Sequence, residues 1–240
     1  MSKSKIVQGI REGLFEGWDD PRLATFAALR RRGITPEAIK KMIIDVGPKT
    51  QDIVLSWENL YAYNRKILDP TSDRYFFVQN PIELTVKEIP RDFKVKLHLH
   101  PEHSERGFRE YIVRPEQDSG EAKFWISKND MDSSKIGNMI RLMELFNIKI
   151  EKATTYSAEA SFVSESYEDA RQVRAQLIHW IPVGEDMPCQ VIMQDATAVN
   201  GIAEGVCKQL RPNAVIQFER FGFVRIDKVD KELTAYYSHK

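Results

Sequence analysis

The run IELTVK at residues 82–87 alternates apolar and polar side chains, and VKLHLH at residues 95–100 does the same. A period of two is typical of strands with one face in a core. Only residues 167–171 in this part of the chain show a helical pattern. Further short candidate strands lie at residues 124–126, 148–155, 158–163, 177–181, 191–193, 215–218 and 223–226. From about residue 71 onward the sequence therefore predicts β-sheets that close into barrels.

The first 70 residues carry helical signals instead. Residues 6–14 repeat apolar side chains every four positions, which predicts a helix. Asp20 followed by Pro21 is a typical N-cap and first-turn pair, and predicts a helix over residues 22–32 that Gly33 ends. The boundary between a helical and a β region therefore falls near residue 71.

Two more helices are predicted before that boundary. Thr35 and Pro36 repeat the start signal, an apolar stripe follows, and Gly47 ends the helix. Ser56 is the predicted cap of a last helix that continues through Leu68.

Composition sets limits on the function. Of 240 residues, 42% are hydrophobic, which is enough for a sizeable core. Lys plus Arg equals Asp plus Glu at 35 each, so the basic character of many nucleic-acid-binding proteins is absent. The basic excess lies in the first 70 residues, and a local cluster is sufficient for phosphate contacts. Cys189 and Cys207 lack metal-ligand spacing, and no apolar run has membrane-spanning length, so we expect a cytoplasmic protein.

Short motifs near the amino terminus are informative about function. MSKS at residues 1–4 resembles the end of the KMSKS signature of class I aminoacyl-tRNA synthetases, without its leading lysine. GWDDPR at residues 17–22 and LRRRG at residues 29–33 resemble the glutamyl and glutaminyl subgroup. The chain is thus identified as a member of this family, similar to the C-terminal part of an archaeal-type glutamyl-tRNA synthetase.

The resemblance implies an α+β fold, with an N-terminal helical subdomain followed by two antiparallel β-barrels of the anticodon-binding type. Residues 1–70 would form the KMSKS loop and the helical subdomain. Residues 71–127 and 191–240 would form a proximal barrel, with a distal barrel of residues 128–190 inserted into it.

The same resemblance implies roles for the N-terminal polar side chains. Lys3 would be the catalytic lysine of the complete enzyme, because a mobile cation can neutralise the charge that develops on departing pyrophosphate. Ser2 and Ser4 would belong to the same ATP-binding loop.

Basic side chains of the helical subdomain would face tRNA. In the family this subdomain follows the inside of the tRNA, so Arg22, Arg30 and Arg31 would contact backbone phosphates. A solvated arginine face explains the same residues equally well.

Two segments of the β region resemble the anticodon-reading elements. HPEHSERGFR at residues 100–109 is similar to a proximal-barrel loop, and Arg109 falls where the family has an arginine that reads an anticodon base, with Arg106 as a neighbouring candidate. QFER at residues 217–220 resembles an element whose Gln217 and Arg220 contact anticodon bases. An ordinary surface strand and turn is the alternative interpretation.

Two other features have structural interpretations that we favour. Trp180 lies in an IHW element and is expected to pack in the core, although it could stack a base. Alternation places His98 and His100 on one strand face, with His103 nearby, but no fourth ligand follows. We therefore expect no metal site.

The complete parent implied by the resemblance joins glutamate to tRNA through glutamyl-adenylate, using ATP and Mg²⁺. The present chain would be a monomer that binds the tRNA for glutamate, needs no cofactor and is inactive alone. Whether the tRNA for glutamine is also accepted stays open.

Two alternatives remain. The first is the same portion of a glutaminyl-tRNA synthetase. Such enzymes usually have the motif SKRKL, whereas the present chain has SKSKI at residues 2–6, with Ser4 in place of the arginine. The second is a stand-alone RNA-binding or assembly module, against which the motifs of residues 2–22 argue.

Overall fold

Helices occupy the first part of the chain and strands most of the remainder, as the change of period predicts. The computed structural model describes residues 2–47, 56–134 and 136–240. The N-terminal helices are α1 (Lys3–Arg11), α2 (Phe26–Arg31), α3 (Pro36–Val46) and α4 (Trp57–Leu68), and two short helices lie in the β region, α5 (Lys128–Asp132) and α6 (Tyr167–Gln172).

The predicted limits of α3 and α4 are confirmed. The Thr35 side chain accepts a hydrogen bond from the backbone N–H of Ala38, and Gly47 ends the helix with φ 67°. Ser56 caps α4 by accepting from the backbone N–H of Asn59.

The predicted start of α2 is wrong. The helix begins at Phe26, and Thr25 caps it by accepting from the backbone N–H of Ala28. Asp20 caps nothing, because its carboxylate accepts hydrogen bonds from the side chain and backbone of Arg22 and from the backbone N–H of Glu16. Residues 20–25 are therefore turn, bend and irregular structure ahead of the helix.

Strands begin directly after α4. They are β1 (Arg74–Tyr75), β2 (Phe77–Gln79), β3 (Pro81–Lys87), β4 (Phe93–His98), β5 (Phe108–Val113), β6 (Ala122–Ser127), β7 (Met139–Leu142), β8 (Asn147–Ala153), β9 (Ser157–Ser164), β10 (Gln176–Ile178), β11 (Ile181–Pro182), β12 (Asp186–Ile192), β13 (Ala198–Glu204), β14 (Val215–Phe218), β15 (Gly222–Val229) and β16 (Leu233–His239). The predicted α+β class is confirmed.

The chain divides into two compact units. The first comprises Met1–Arg74, Gln190–Val199 and Leu210–Lys240, and the second comprises Tyr75–Cys189 and Asn200–Gln209. Strands β12 and β13 each have residues in both units. The three-part division into a helical subdomain and two barrels stays a prediction beside these two units.

The second unit contains a seven-stranded sheet in the order β10-β7-β8-β9-β3-β6-β11 and the separate hairpin β4-β5. The pairs β10-β7 and β3-β9 are parallel, so the sheet is mixed where an antiparallel one was predicted. The sheet curls as a half-barrel. Its core includes the fully buried aromatic side chains of Phe76, Phe124, Phe146 and Trp180.

The first unit combines α1 to α4 with an antiparallel meander of β14, β15 and β16. Leu29, Ile34, Met42 and Leu60 form the core between α2, α3 and α4. None of the helices in the described ranges has the length and apolar character that crossing a membrane requires.

Candidate nucleic-acid interface

Gln217 and Arg220 lie in one hairpin of the first unit. Strand β14 ends at Phe218, and the backbone N–H of Phe221 donates to the carbonyl of Phe218 and closes the turn before β15. Arg220 is exposed in that turn with φ 60°, a left-handed conformation that is uncommon for residues other than glycine. The expected end of the strand at Phe218 is confirmed, so Gln217 is on the strand and Arg220 is beyond it.

Arg106 and Arg109 belong to the second unit. Arg106 is exposed at the end of a short 3-10 helix, Ser104–Arg106. Arg109 lies on β5, where the exposed and buried positions alternate, and its side chain is only 3% exposed. Its Nη1 donates to the carbonyl of His98 at 2.9 Å.

The main partner of Arg109 is a carboxylate that sequence reasoning missed. Arg109 Nε donates to Glu204 Oε1 at 2.8 Å, and the hydroxyl of Tyr111 donates to the same oxygen at 2.9 Å. The backbone N–H of Phe76 donates to Oε2 at 2.8 Å. Burial raises the pKa of the Glu204 carboxyl, and the Arg109 guanidinium opposes that rise. The contacts tie together β5, β13 and the residue before β2.

Arg22 is held by Asp20 in the first unit. Its Nε donates to Oδ1 at 2.8 Å and its Nη2 to Oδ2 at 2.6 Å. The hydrogen bonds from Arg22, followed by those from backbone N–H groups, lower the pKa of Asp20 to about 2 although burial opposes the shift. The Arg22 side chain remains 37% exposed, so part of the guanidinium reaches solvent.

The three arginines of residues 30–32 have different surroundings. Arg30 is exposed, and within the described residues it has no ion pair. Arg31 pairs with Asp19 at 3.1 Å and lies over the ring of Tyr236. Arg32 is buried and donates to the carbonyl of Ser238, so it is structural.

Lys3 begins α1, so the position predicted as a loop is the first turn of a helix. Ser2 precedes it, and its hydroxyl lies 3.1 Å from that of Ser4. An open cavity of about 680 Å³ is lined by the side chains of Ser2, Lys3, Ser4, Val7, Gln8 and Arg11. Met1, the first residue of the motif, lies outside the described residues.

Trp180 is in the core, as predicted, at 1% exposure, and its Nε1 donates to the carbonyl of Met143. The predicted shared face of His98 and His100 is wrong: β4 ends at His98, which is exposed, whereas His100 is buried next to His103. Among the residues that the structure describes, no group of three or more His, Cys, Asp or Glu could hold a metal ion.

Three family models match consecutive parts of the chain. The anti-codon binding domain models of "tRNA synthetases class I (E and Q)" match residues 72–166 and 177–227. The catalytic domain model of the same family matches residues 1–70. Together the matched segments include every candidate residue named above.

Curated relatives agree with the models along the whole chain. The glutamate–tRNA ligases of Pyrococcus abyssi and Pyrococcus horikoshii are each 45% identical over 244 residues, and that of Methanocaldococcus jannaschii is 41% identical over 241 residues. Each alignment covers 100% of this chain but 41% of the relative, so the chain spans less than half of the length of these proteins. The chain belongs to the class I tRNA synthetases of the glutamate and glutamine group, and it carries their anticodon-binding domain.

Proposed function

We propose that this chain is the tRNA-binding and anticodon-reading part of a glutamate–tRNA ligase. The names of the relatives favour glutamate over glutamine, because the archaeal proteins aligned along the whole chain are glutamate–tRNA ligases. The complete enzyme would join glutamate to tRNA with ATP, and the present chain alone would be inactive. Anticodon reading would select the tRNA.

The geometry of Arg220 carries the proposal. Arg220 is an exposed arginine in a left-handed turn conformation, Gln217 lies on the adjoining strand, and both fall inside a segment that matches an anticodon-binding model. Arginine can hydrogen-bond a base edge and stack on a base plane, as recognition of single-stranded loops requires. Arg106, exposed at the end of its short helix, would assist in base reading.

For Arg109 a base contact has a stricter requirement. Its Nε is engaged by Glu204 and its side chain is almost entirely buried. The RNA would therefore have to reach the edge of this buried pair. Because Arg109 also binds the buried Glu204 carboxylate, its replacement would change both the stability of the fold and the binding of RNA.

The helical part would contact tRNA phosphates and, in the complete enzyme, ATP. Arg30 and the exposed part of Arg22 supply positive charge for phosphates. Lys3 and the hydroxyls of Ser2 and Ser4 fit an anionic triphosphate, since they line one cavity with Arg11. When bound, ATP supplies the group that activates the carboxylate of the amino acid. Mg²⁺ would accompany it, and we assign no residue of this chain to it.

We further propose a monomeric, cytoplasmic protein whose main partner is the tRNA for glutamate. The tRNA for glutamine is a second candidate partner. Its acceptance depends on how strictly Gln217, Arg220 and Arg106 discriminate between the two anticodons.

Binding to three tRNAs tests the proposal. The 240-residue chain is titrated with the tRNAs for glutamate, for glutamine and for an unrelated amino acid at two salt concentrations, because the phosphate contribution depends on salt. We expect a preference for the tRNA for glutamate. Arg220→Ala should reduce that preference by about 1–3 kcal/mol if the arginine reads a base.

Arg171→Ala is the matched control, because Arg171 is an exposed arginine on α6. Its loss should leave the order of the three tRNAs unchanged. Equal weakening of all three tRNAs by Arg220→Ala would assign Arg220 to phosphate instead. A wild-type chain without any tRNA preference would contradict the proposal.

A further inference from the structure

The hairpin β4-β5 of the second unit has an outward face that no role above uses. Strand β4 buries every second side chain and exposes Lys94, Lys96 and His98. Strand β5 alternates in the opposite phase and exposes Phe108 and Ile112 on either side of Glu110. The two strands thus form one exposed ribbon face.

The register brings unlike side chains together on this face. His98 lies opposite Phe108, and Lys96 lies opposite Glu110. Phe108 is 49% exposed, which is high for an aromatic side chain on a strand. The Lys96 ammonium lies 4.5 Å from the centre of the Phe108 ring. The exposed ring is therefore bordered by a cation and by an imidazole.

The charge of the face is positive where the ring is. Lys94 Nζ pairs with Glu110 at 3.0 Å, so the acidic side chain of this face is compensated by Lys94. Within residues 2–47, 56–134 and 136–240, the contact found for the Lys96 ammonium is the Phe108 ring, and its flexible stem lets the charge move. An aromatic plane beside an uncompensated cation is the combination with which proteins bind single-stranded nucleic acid.

We propose that Phe108, Lys96 and His98 form a stacking platform for an unpaired nucleotide of RNA. The base stacks on the Phe108 ring, and the Lys96 ammonium moves from the ring to the neighbouring phosphate. His98 forms the edge of the platform across the strand pair. The inference rests on the proposed function only for the class of the ligand, RNA.

The chemistry of the face favours RNA over a protein partner. Apolar contact area is limited to one half-exposed ring and to Ile112, which is 37% exposed. Specific protein interfaces usually require about 800 Å² on each partner with an apolar centre. A single nucleotide needs only one ring plane and one cation. The platform also lies within the segment that matches an anticodon-binding model.

Phe108→Ala tests the platform. The 240-residue chain is titrated with a short single-stranded RNA of mixed sequence and with an RNA duplex of the same length. We expect the affinity of the variant for the single strand to fall about tenfold or more, because one stacked base is lost. Affinity for the duplex should be unchanged, since its bases are already stacked. Phe108→Tyr should retain the affinity of the wild type.

Two further variants separate the contributions. Lys96→Gln should weaken binding of the single strand and make the salt dependence less steep, because one phosphate contact is lost. Ile112→Ala is the matched control, an outward apolar residue of the same face without a ring. Its affinity should equal that of the wild type, and circular dichroism checks that each variant is folded.

Wild-type affinity of Phe108→Ala for the single strand would overturn the inference. So would an equal loss on strand and duplex, or a loss of self-association in sedimentation without a change in RNA binding. The proposed function fails separately, through the absence of a tRNA preference. A Phe108-dependent affinity for mixed-sequence RNA without any tRNA preference would leave the platform intact and refute the proposed function.

Discussion

Asp20 in the first unit and Glu204 in the second are both fully buried and both pair with an arginine, yet their pKa values move in opposite directions. Arg22 is 37% exposed, whereas Arg109 is 3% exposed. Asp20 is stabilised as a carboxylate by a guanidinium that water still reaches and by two backbone N–H groups. Around Glu204 the cost of dehydration exceeds the attraction of Arg109. The direction of the shift therefore follows the larger of two effects on the carboxyl group, its own dehydration or the hydrogen bonds that it accepts.

The strongest test of this comparison is to remove the buried arginine. Arg109→Met would leave the Glu204 carboxylate in the interior without its cation. We expect the free energy of unfolding to fall by about 3–5 kcal/mol, measured by urea denaturation at neutral pH. A loss below about 1 kcal/mol would mean that Glu204 is not charged in the folded protein.

A second variant separates charge from packing at the same place. Combining Arg109→Met with Glu204→Gln removes the buried charge. The single amide oxygen can still accept from the backbone N–H of Phe76, and the amide NH2 can donate to the Tyr111 hydroxyl in place of the lost acceptor. More than half of the lost stability should return. A double variant as unstable as Arg109→Met alone would show that the shape of the arginine matters more than its charge.

Acid should distinguish the Asp20–Arg22 pair, whose arginine is partly exposed, from the fully buried Glu204–Arg109 pair. The pKa of Asp20 is about 2 in the folded protein, below the usual 3.8. The pair therefore stabilises the fold above about pH 4, and this contribution is lost as the pH falls towards 2. We expect about 1–2 kcal/mol after allowance for the solvent around Arg22.

Asp20→Asn should abolish this acid-dependent loss. Urea midpoints between pH 5 and 2 measure it, with the exposed turn residue Asp118→Asn as the control. If wild type and Asp20→Asn lose stability in parallel over that range, the stabilisation of the Asp20 carboxylate is refuted.

The smallest effect concerns the helix that Asp20 was expected to cap. Thr25→Ala removes the cap of α2 and should cost about 1 kcal/mol of unfolding free energy. Ser2→Ala should cost nothing measurable, because the Ser2 side chain makes no cap hydrogen bond. Equal effects of the two variants would mean that Thr25 does not start the helix.

The sequence predicts an element well where one local rule operates. Helix α3 has a capping threonine, an N1 proline and a terminal glycine, and both of its ends were predicted. Asp20 and Pro21 carry the same signal, but Arg22 binds the carboxylate that should have capped the helix. A charged side chain nearby can therefore take up the carboxylate of a potential N-cap residue, and the capping motif alone does not reveal this competition.

The candidate site shows the same limit. Arg109 occupies a core position of β5, on the same buried face as Tyr111 and Val113. Because a charged side chain stands at a buried position, the sequence of this strand does not alternate between apolar and polar residues. Its partner Glu204 is 95 residues away in the sequence. The pairing itself has no local signature.

The interleaving of the two units constrains how this protein can change during evolution. The chain passes between the units after residues 74, 189, 199 and 209. No continuous gene segment encodes either unit alone, so the exchange of one complete unit between related genes would need a crossover at each of these four points. Recombination that replaces one anticodon-reading surface by another should be rare in such a chain. Sequence changes in the anticodon-binding domain would then arise mainly by point substitution, for example at the exposed turn of Arg220.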